Sequence, residues 1–146
     1  MTHGQPLRGA SGWAGELGYL PVQHGMQVRR LDELAGGAAI AKLCGVEPDA
    51  LALQAAAGDR AILRIIEQAG VSFGLGLAAV INLFNPSVLA VGGGTSELPG
   101  YWQAALAGAR QHSLPALWQP CTLSRVKAGS RTVAQGAIRA ASGPWG

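Results

Sequence analysis

Residues 59–94 decide the fold of this chain and read DRAILRIIEQAGVSFGLGLAAVINLFNPSVLAVGGG. Their apolar side chains recur at steps of three and four, a spacing that places them on one face of a helix. They are Ile62, Ile65, Ile66, Ala69, Phe73, Leu77, Val80, Ile81 and Phe84. Asp59 is a suitable N-cap, and Asn85 is disfavoured in the helical conformation because it precedes Pro86. The pattern therefore predicts one long helix between Asp59 and Asn85.

The end of the same stretch has the pattern of a buried strand followed by a glycine turn. Val88–Val91 is an uninterrupted apolar run, as in a parallel strand covered on both faces, and Gly92, Gly93 and Gly94 follow it. Ligands in α/β folds lie at the carboxyl ends of such strands. The three glycines can hold phosphate or adenosine at the start of the next helix, or they allow strand and helix to pack closely. They are not a P-loop, because no Gly-Lys-Ser/Thr sequence follows.

Shorter elements are predicted on both sides of this stretch. They are helices over residues 38–44, 49–57, 99–111 and 132–142, a second parallel strand over residues 121–126, and the tip and return arm of a hairpin over residues 3–9. Within the long helix, Gly70, Gly74 and Gly76 each cost ~1 kcal/mol relative to alanine. We therefore expect another backbone to pack closely against that part of the helix.

The composition is that of a single globular α/β domain. Hydrophobic residues make up 49% and charged residues 13% of the 146 positions, which argues against disorder. The net charge of +3 is spread along the chain, and Arg29-Arg30 is the sole adjacent basic pair. A nucleic-acid-binding surface on this chain is therefore not predicted.

The cysteines and the hydropathy of the chain indicate in which cellular compartment the protein is expected. Cys44 and Cys121 are far apart in sequence, and we expect both to be buried thiols in a reducing compartment. Residues 1–15 contain no apolar core of a secretory signal. The most apolar run, residues 71–84, is shorter than the ~18 residues of a membrane span and contains Asn82. A cytoplasmic protein without a membrane partner is the expectation.

Residues 9–22, GASGWAGELGYLPV, form a glycine-rich segment. Four glycines in ten residues exclude a regular helix or strand and let the backbone approach a ligand closely. Glu16 is the only charge in the segment, and a carboxylate is a good acceptor for two neighbouring sugar hydroxyls. The alternative is a surface turn with a hydrated Glu16.

The pattern GxAGExG at residues 12–18 is similar to the signature loop of the ROK family, which comprises sugar-responsive repressors, sugar kinases and unassigned reading frames. Three further segments resemble the same family: VINLFNP at residues 80–86, VLAVGGG at residues 88–94 and AQGA at residues 134–137. Their order and spacing match the family along nearly the whole chain. The resemblance implies an α/β fold, the second lobe of an actin-like, ribonuclease H-like fold of the sugar kinase and Hsp70 type.

The resemblance also implies what the chain contains. Residues 1–146 are expected to form a single partial domain, incomplete at its N-terminus, without the N-terminal lobe and without a helix-turn-helix. In the family the Glu matched by Glu16 contacts the sugar, and Tyr19 would line the same pocket. Asp32 stands where the family has a second sugar-contacting Glu and is one methylene shorter. Its alternative role is that of a first-turn carboxylate, favourable to the helix dipole.

Two departures concern the zinc that this family usually holds. Tyr19 stands where the family has a zinc-binding His, and the knuckle of the form Cys-x-Cys-Gly-x-x-Gly-Cys is missing. Residues 23–30, QHGMQVRR, contain no cysteine and form a shorter segment. A structural zinc needs about four nitrogen or sulfur ligands, and His24 alone cannot supply them. We therefore predict no metal site, and one tightly held zinc per chain in an elemental analysis would refute this.

The favoured function is the sugar-binding effector half of a ROK-family transcriptional regulator. Sugar would bind to Glu16, Tyr19 and Asp32, and DNA would be contacted only through a region that is not in this chain. The first alternative is a fragment of an ATP-dependent, glucokinase-like sugar kinase, in which Gly92, Gly93 and Gly94 would contact the nucleotide. The second is a non-catalytic remnant that acts as an oligomerisation partner through open sheet edges.

No catalytic residue is assigned. A kinase of the family needs an Asp-x-Gly-x-Thr phosphate loop and a catalytic Asp that deprotonates the sugar hydroxyl, and the sequence has neither. This chain is therefore not expected to phosphorylate a substrate by itself. ATP is expected as a cofactor only if the chain is part of a kinase, and a homo-oligomer is expected in either case.

Overall fold

The structure, a computed structural model, describes residues 6–126 of the chain. The helices in this range are α1 (Leu31–Ala35), α2 (Gly37–Cys44), α3 (Pro48–Ala56), α4 (Arg60–Phe84), α5 (Tyr101–His112) and α6 (Pro115–Trp118). The strands are β1 (Pro21–His24), β2 (Gln27–Arg30), β3 (Val88–Val91) and β4 (Thr122–Arg125). Two 3₁₀ turns lie at Leu17–Tyr19 and Gly94–Glu97. The predicted helix 132–142, the AQGA segment and residues 3–5 of the predicted hairpin 3–9 lie outside the described residues, and residues 6–9 form no strand, so the predicted return arm of that hairpin is wrong.

Helix α4 is the long helix that the apolar periodicity predicts. Asp59 caps it, because its Oδ1 accepts hydrogen bonds from the backbone N–H groups of Ala61 at 2.8 Å and Ile62 at 3.2 Å. The helix ends at Asn85, which adopts the left-handed conformation with φ 43° and donates its N–H to the carbonyl of Ile81. Both predicted ends are therefore confirmed.

By length and hydropathy alone, α4 is also capable of crossing a membrane. Its apolar face packs against α1, α2 and α5 in this structure, and Ile66 and Ile81 on that face are fully buried. The core helix of a globular domain has the same composition and the same burial.

The small residues of α4 face another backbone, as predicted. A Cβ atom at Gly74 would lie 2.6 Å from the carbonyl oxygen of Ala105 and 2.9 Å from the amide nitrogen of Ala109, both in α5. A Cβ atom at Gly70 would meet the carbonyl oxygen of Tyr101 in the same helix. Gly76 differs, because it faces the side chain of Leu31 rather than a backbone. Gly70 and Gly74 thus allow α4 and α5 to come into close contact.

Strands β3 and β4 pair in parallel, with Val88 opposite Thr122 and Val91 opposite Arg125. The predicted second parallel strand is therefore confirmed. The prediction that β3 is buried is wrong for most of the strand, because only Val91 is buried and Val88 is 60% exposed. A parallel strand is buried when neighbouring strands and helices cover it on both faces, and among the described residues β3 has a single neighbouring strand.

An antiparallel hairpin occupies the segment that the sequence indicates only as a shortened loop. Strands β1 and β2 pair from Pro21 opposite Arg30 to His24 opposite Gln27. The two-residue turn is Gly25-Met26, and Gly25 has the positive φ of 59° that such a turn requires. Strand β2 leads directly into α1, which starts at Leu31.

Three apolar clusters form the core, and Phe73 of α4 contacts all of them. The first lies between α2, α3 and α4, the second between α1 and the hairpin, and the third between α4, α5 and the β3–β4 sheet. Cys44 packs against the first cluster, but it and Cys121 are half-buried free thiols, so the prediction that both are buried is wrong.

Candidate functional site

A cavity of about 250 Å³ opens between α1, the 3₁₀ turn Leu17–Tyr19 and the carboxyl end of β3. Its lining residues are Leu17, Gly18, Leu31, Asp32, Ala35, Gly36, Phe73, Val91, Gly92, Gly93, Thr95, Ser96 and Tyr101. Asp32 is the only charged residue among them. The cavity thus brings together Asp32, which the sequence suggests as a sugar contact, and Gly92 and Gly93, which it suggests as nucleotide contacts.

The carboxylate of Asp32 is half-exposed at the edge of this cavity. Its Oδ1 lies 3.4 Å from Nε of Arg30, which leaves the rest of the carboxylate available as a hydrogen-bond acceptor. Asp32 packs closely under the turn, since a Cβ atom at Gly18 would lie 3.3 Å from the Cβ of Asp32. The absence of a side chain at Gly18 therefore leaves space for Asp32 beside the cavity.

Two aromatic rings form the floor of the cavity. The rings of Phe73 and Tyr101 are tilted to one another with their centroids 5.8 Å apart. The Tyr101 hydroxyl donates a hydrogen bond of 2.9 Å to the carbonyl of Ala35, and burial raises the pKa of this phenol far above its usual range. Tyr101 is therefore a neutral, fixed wall that ties α5 to α1.

The glycines after β3 do not lead directly into a helix. Gly93 has a φ of 109°, and its carbonyl accepts hydrogen bonds from the hydroxyl of Ser96 at 2.7 Å and from the Ser96 N–H at 3.1 Å. These bonds form the 3₁₀ turn Gly94–Glu97, and α5 begins only at Tyr101, with Gly100 as its N-cap. The prediction that the glycine turn opens onto a helix N-terminus is wrong, because Ser96 folds the intervening residues into this turn.

Gly94 borders a second cavity. This cavity of about 600 Å³ lies between the start of α2, the length of α3 and the segment from Gly94 to Pro99. Its lining is apolar apart from Thr95 and Glu97. Gly92 and Gly93 therefore face one cavity and Gly94 the other, so the three glycines do not act as one unit.

Glu16 and Tyr19 lie on the loop beside the first cavity but do not line it. Glu16 is exposed, and its carbonyl accepts the N–H of Tyr19 at 3.1 Å within the 3₁₀ turn. Tyr19 is 62% exposed, and its ring lies under the guanidinium of Arg30, with Cζ 4.8 Å from the ring centroid. Their neighbours Leu17 and Gly18 do line the cavity. Contact of Glu16 and Tyr19 with a sugar stays a prediction.

Arg30 is a residue of this region that sequence reasoning missed. Besides Tyr19 and Asp32 it contacts Glu33, with Nη2 3.2 Å from Oε1, and its backbone N–H donates to Oε2 of Glu33 at 3.2 Å. The hydrogen bond from the Arg30 backbone, aided by the charges of Arg30 and Arg29, lowers the pKa of the Glu33 carboxyl. Only the Arg29-Arg30 pair in the sequence could have pointed to it.

The donor set of this region does not fit a zinc ion. Within residues 6–126, no three His, Cys, Asp or Glu side chains are close enough together to hold a metal. Tyr19 stands at the expected zinc-ligand position, and the guanidinium beside it carries a positive charge that repels a cation. The absence of zinc itself stays a prediction for the elemental analysis.

Two solved structures share this architecture. The ROK hexokinase from Thermus thermophilus superposes with a TM-score of 0.72 and 32% sequence identity, over 86% of this chain and 46% of the hexokinase. A ROK family transcriptional regulator, a homologue of the E. coli MLC protein, superposes with a TM-score of 0.66 and 27% identity, over 82% of this chain and 36% of the regulator. The chain therefore spans less than half the length of either protein.

These similarities define the class of the fold: it is part of an actin-like, sugar-kinase-type α/β fold, as the sequence predicts. The model of the ROK family matches residues 1–143, and the chain belongs to this family. Comparison with curated protein sequences gives no match. Since one structural relative is a hexokinase and the other a regulator, membership alone does not separate these two functions.

Proposed function

We propose that this chain is the sugar-binding effector half of a ROK-family transcriptional regulator. The observation that carries the proposal is the first cavity, in which the Asp32 carboxylate lies beside the carboxyl end of a parallel strand. In α/β folds that edge is the usual place for a ligand.

The size of the cavity favours a small ligand. At about 250 Å³ it is smaller than the ~300–1,000 Å³ that is common for drug-sized ligands, and it suits one sugar ring better than a nucleotide. Asp32 would accept hydrogen bonds from sugar hydroxyls, and the rings of Phe73 and Tyr101 would contact the C–H face of the sugar. Gly92 and Gly93 leave space for the ring because they carry no side chains.

Glu16 and Tyr19 would complete the site from its rim. Both belong to the loop whose residues Leu17 and Gly18 line the cavity, so a small inward movement of this loop would bring the Glu16 carboxylate to the ligand. Sugar binding would then bias the angle between the two lobes of the whole protein and, through that angle, its affinity for DNA. The DNA contacts would lie outside this chain. A cytoplasmic homo-oligomer is part of the proposal.

The departures from the zinc site favour the regulator. Kinases of the family usually keep the zinc, whereas here Tyr19 and the Gly25-Met26 hairpin replace its ligands. Asp59 accepts backbone hydrogen bonds as the cap of α4, and Asp32 is paired with Arg30. We therefore assign both carboxylates as hydrogen-bond acceptors rather than as general bases for phosphoryl transfer. The proposed role of this chain is therefore recognition of sugar and not phosphoryl transfer.

The hexokinase match supports a sugar kinase as the second candidate. In that case the larger cavity beside α3, bordered by Gly94, would take the adenosine of ATP. The rest of the kinase would supply the phosphate loop and the base. Transfer of phosphate from ATP to a hexose by the whole protein, with this chain joined to the part that carries the phosphate loop and the base, would establish this candidate, and the regulator predicts no such transfer.

Calorimetric titration of the chain with hexoses and N-acetylhexosamines tests the regulator proposal. We expect saturable binding, weakened by roughly 10–100-fold in Asp32→Asn, the loss expected for hydrogen bonds to a charged group. Glu16→Gln should weaken it as well. Asp49→Asn is the matched control, because Asp49 is an exposed carboxylate in the first turn of α3 and lines neither cavity. Equal affinities in all four proteins, or no saturable heat, would contradict the proposal.

A further inference from the structure

The loop at the mouth of the first cavity, residues 16–20, makes few polar contacts with α1, although its Leu17 and Leu20 pack against the apolar side chains of α1. One backbone hydrogen bond links them, from the N–H of Leu31 to the carbonyl of Leu20 at 2.9 Å. The other described polar contacts across this junction belong to the side chain of Arg30, the last residue of β2.

The Arg30 guanidinium contacts three side chains at once. Its face covers the ring of Tyr19 at 4.8 Å, its Nε lies 3.4 Å from Oδ1 of Asp32, and its Nη2 lies 3.2 Å from Oε1 of Glu33. A planar guanidinium can stack on a ring and bind carboxylates along its edge at the same time, which an ammonium cannot do. Arg30 therefore joins the loop, through Tyr19, to the first turn of α1, through Asp32 and Glu33.

This arrangement stands where the family resemblance would place a metal. By the family resemblance, Tyr19 stands in place of a zinc-binding His, and Arg30 ends the cysteine-free segment 23–30 that stands in place of the knuckle. We propose that Arg30 is a positioning residue that replaces the zinc with a metal-free clamp, holding the Tyr19 loop and the Asp32 carboxylate together at the cavity mouth. We name these three contacts of Arg30 the clamp, and its existence does not depend on whether the chain binds sugar. Its effect on sugar affinity rests on the proposed function.

The clamp predicts a specific pattern of loop stability. The amides of Tyr19 and Leu20 donate to the carbonyls of Glu16 and Leu17 at 3.1 and 3.0 Å, so their hydrogen exchange reports opening of the loop. Arg30→Met should speed their exchange roughly 2–5-fold, the size expected for a cation–π contact at an exposed site. Arg30→Lys should restore only part of the protection.

Arg29→Met is the matched control for this measurement. Arg29 is the neighbouring arginine, and its Nε lies 3.6 Å from Oε2 of Glu33, but it has no described contact with Tyr19. We expect normal exchange of the Tyr19 and Leu20 amides in Arg29→Met. Equal exchange in Arg30→Met and Arg29→Met would overturn the clamp.

The Tyr19 side of the clamp gives a second pair of variants, which applies even if Arg30→Met does not fold. Tyr19→Phe keeps the ring and should leave the exchange of the Leu20 amide unchanged, whereas Tyr19→Leu should speed it. Identical exchange in these two variants would contradict the clamp. Adding zinc or EDTA should change nothing, and slowing of exchange by zinc would overturn the metal-free assignment.

A sugar titration of the same variants separates the clamp from the proposed function. Faster exchange with weaker sugar binding in Arg30→Met supports both. Faster exchange in a chain that binds no sugar supports the clamp and contradicts the proposed function. Unchanged exchange overturns the clamp whatever the sugar affinity is.

Discussion

Gly74 is the position where the packing of α4 on α5 can be tested most sharply. An added Cβ would lie 2.6 Å from the carbonyl oxygen of Ala105 and 2.9 Å from the amide nitrogen of Ala109. Both atoms belong to the backbone of α5, so no side-chain rotation relieves the contact. Because ordinary contacts lie at ~3.5–4.0 Å, α5 would have to move by roughly 1 Å to accept Gly74→Ala.

Two opposing terms set the size of this effect. Alanine in place of glycine favours an α-helix by ~1 kcal/mol. Overpacking of a well-packed core costs about 1–3 kcal/mol or more, and a clash with two backbone atoms belongs at the upper end. We therefore expect Gly74→Ala to lower the free energy of unfolding by about 1–2 kcal/mol, or the melting temperature by roughly 3–8 °C.

Gly76→Ala is the control in the same helix. Its Cβ would meet Cδ2 of Leu31 at 2.5 Å, the tip of a side chain that borders the first cavity and can move into it. The helix preference should then offset the cost, and the stability should stay within ~1 kcal/mol of the unchanged chain. Urea unfolding followed by circular dichroism measures both variants. A Gly74→Ala chain as stable as Gly76→Ala would refute the close packing of α4 and α5.

Three further predictions concern single polar groups. Asp59→Ala should cost ~1 kcal/mol of stability in urea unfolding, because it removes the N-cap of α4. Because the pKa of Glu33 is below its usual value of 4.5, its contribution to stability is complete above that pH and is lost as the pH falls through the lower folded value. Acid unfolding of Glu33→Gln should therefore depend less on pH below 4.5 than that of the unchanged chain, and identical acid curves would contradict this. Burial, with a smaller effect of Asp59, raises the pKa of the Cys44 thiol, so its alkylation at neutral pH should be slower than that of a small-molecule thiol and should accelerate as the pH rises.

The fold was predictable from sequence where a pattern is long and local. The periodicity of α4 extends over seven turns, and both of its ends are marked by residues with known preferences, Asp59 and Asn85. The hairpin of β1 and β2 was missed because each strand has only four residues and Gly25-Met26 is not one of the common hairpin turn pairs. The burial of β3 was overestimated, because an apolar run does not indicate how many strands and helices pack against the strand.

The site was less predictable because its residues come from distant segments. Asp32 and Gly92 line one cavity although 60 positions separate them in sequence. The periodicity within either segment does not indicate that these two residues are close in space. Arg30 reaches Tyr19 because β1 and β2 fold back on one another, which brings the two residues together across the hairpin. Gly94 turns away from Gly92 and Gly93 because Ser96 forms the 3₁₀ turn, a local hydrogen bond that the three-glycine pattern does not reveal.

The proposed function requires that a sugar bind in the cavity between α1 and the end of β3. The most direct test is a titration of the ¹⁵N-labelled chain with a hexose or an N-acetylhexosamine, followed at the backbone amides of Gly18, Gly92 and Gly93, which line the cavity. We expect these three amides to shift together along one saturation curve, while Ala52, in the cavity beside α3, does not shift. Shifts confined to the second cavity, or no saturable shift with any of these sugars, would contradict it.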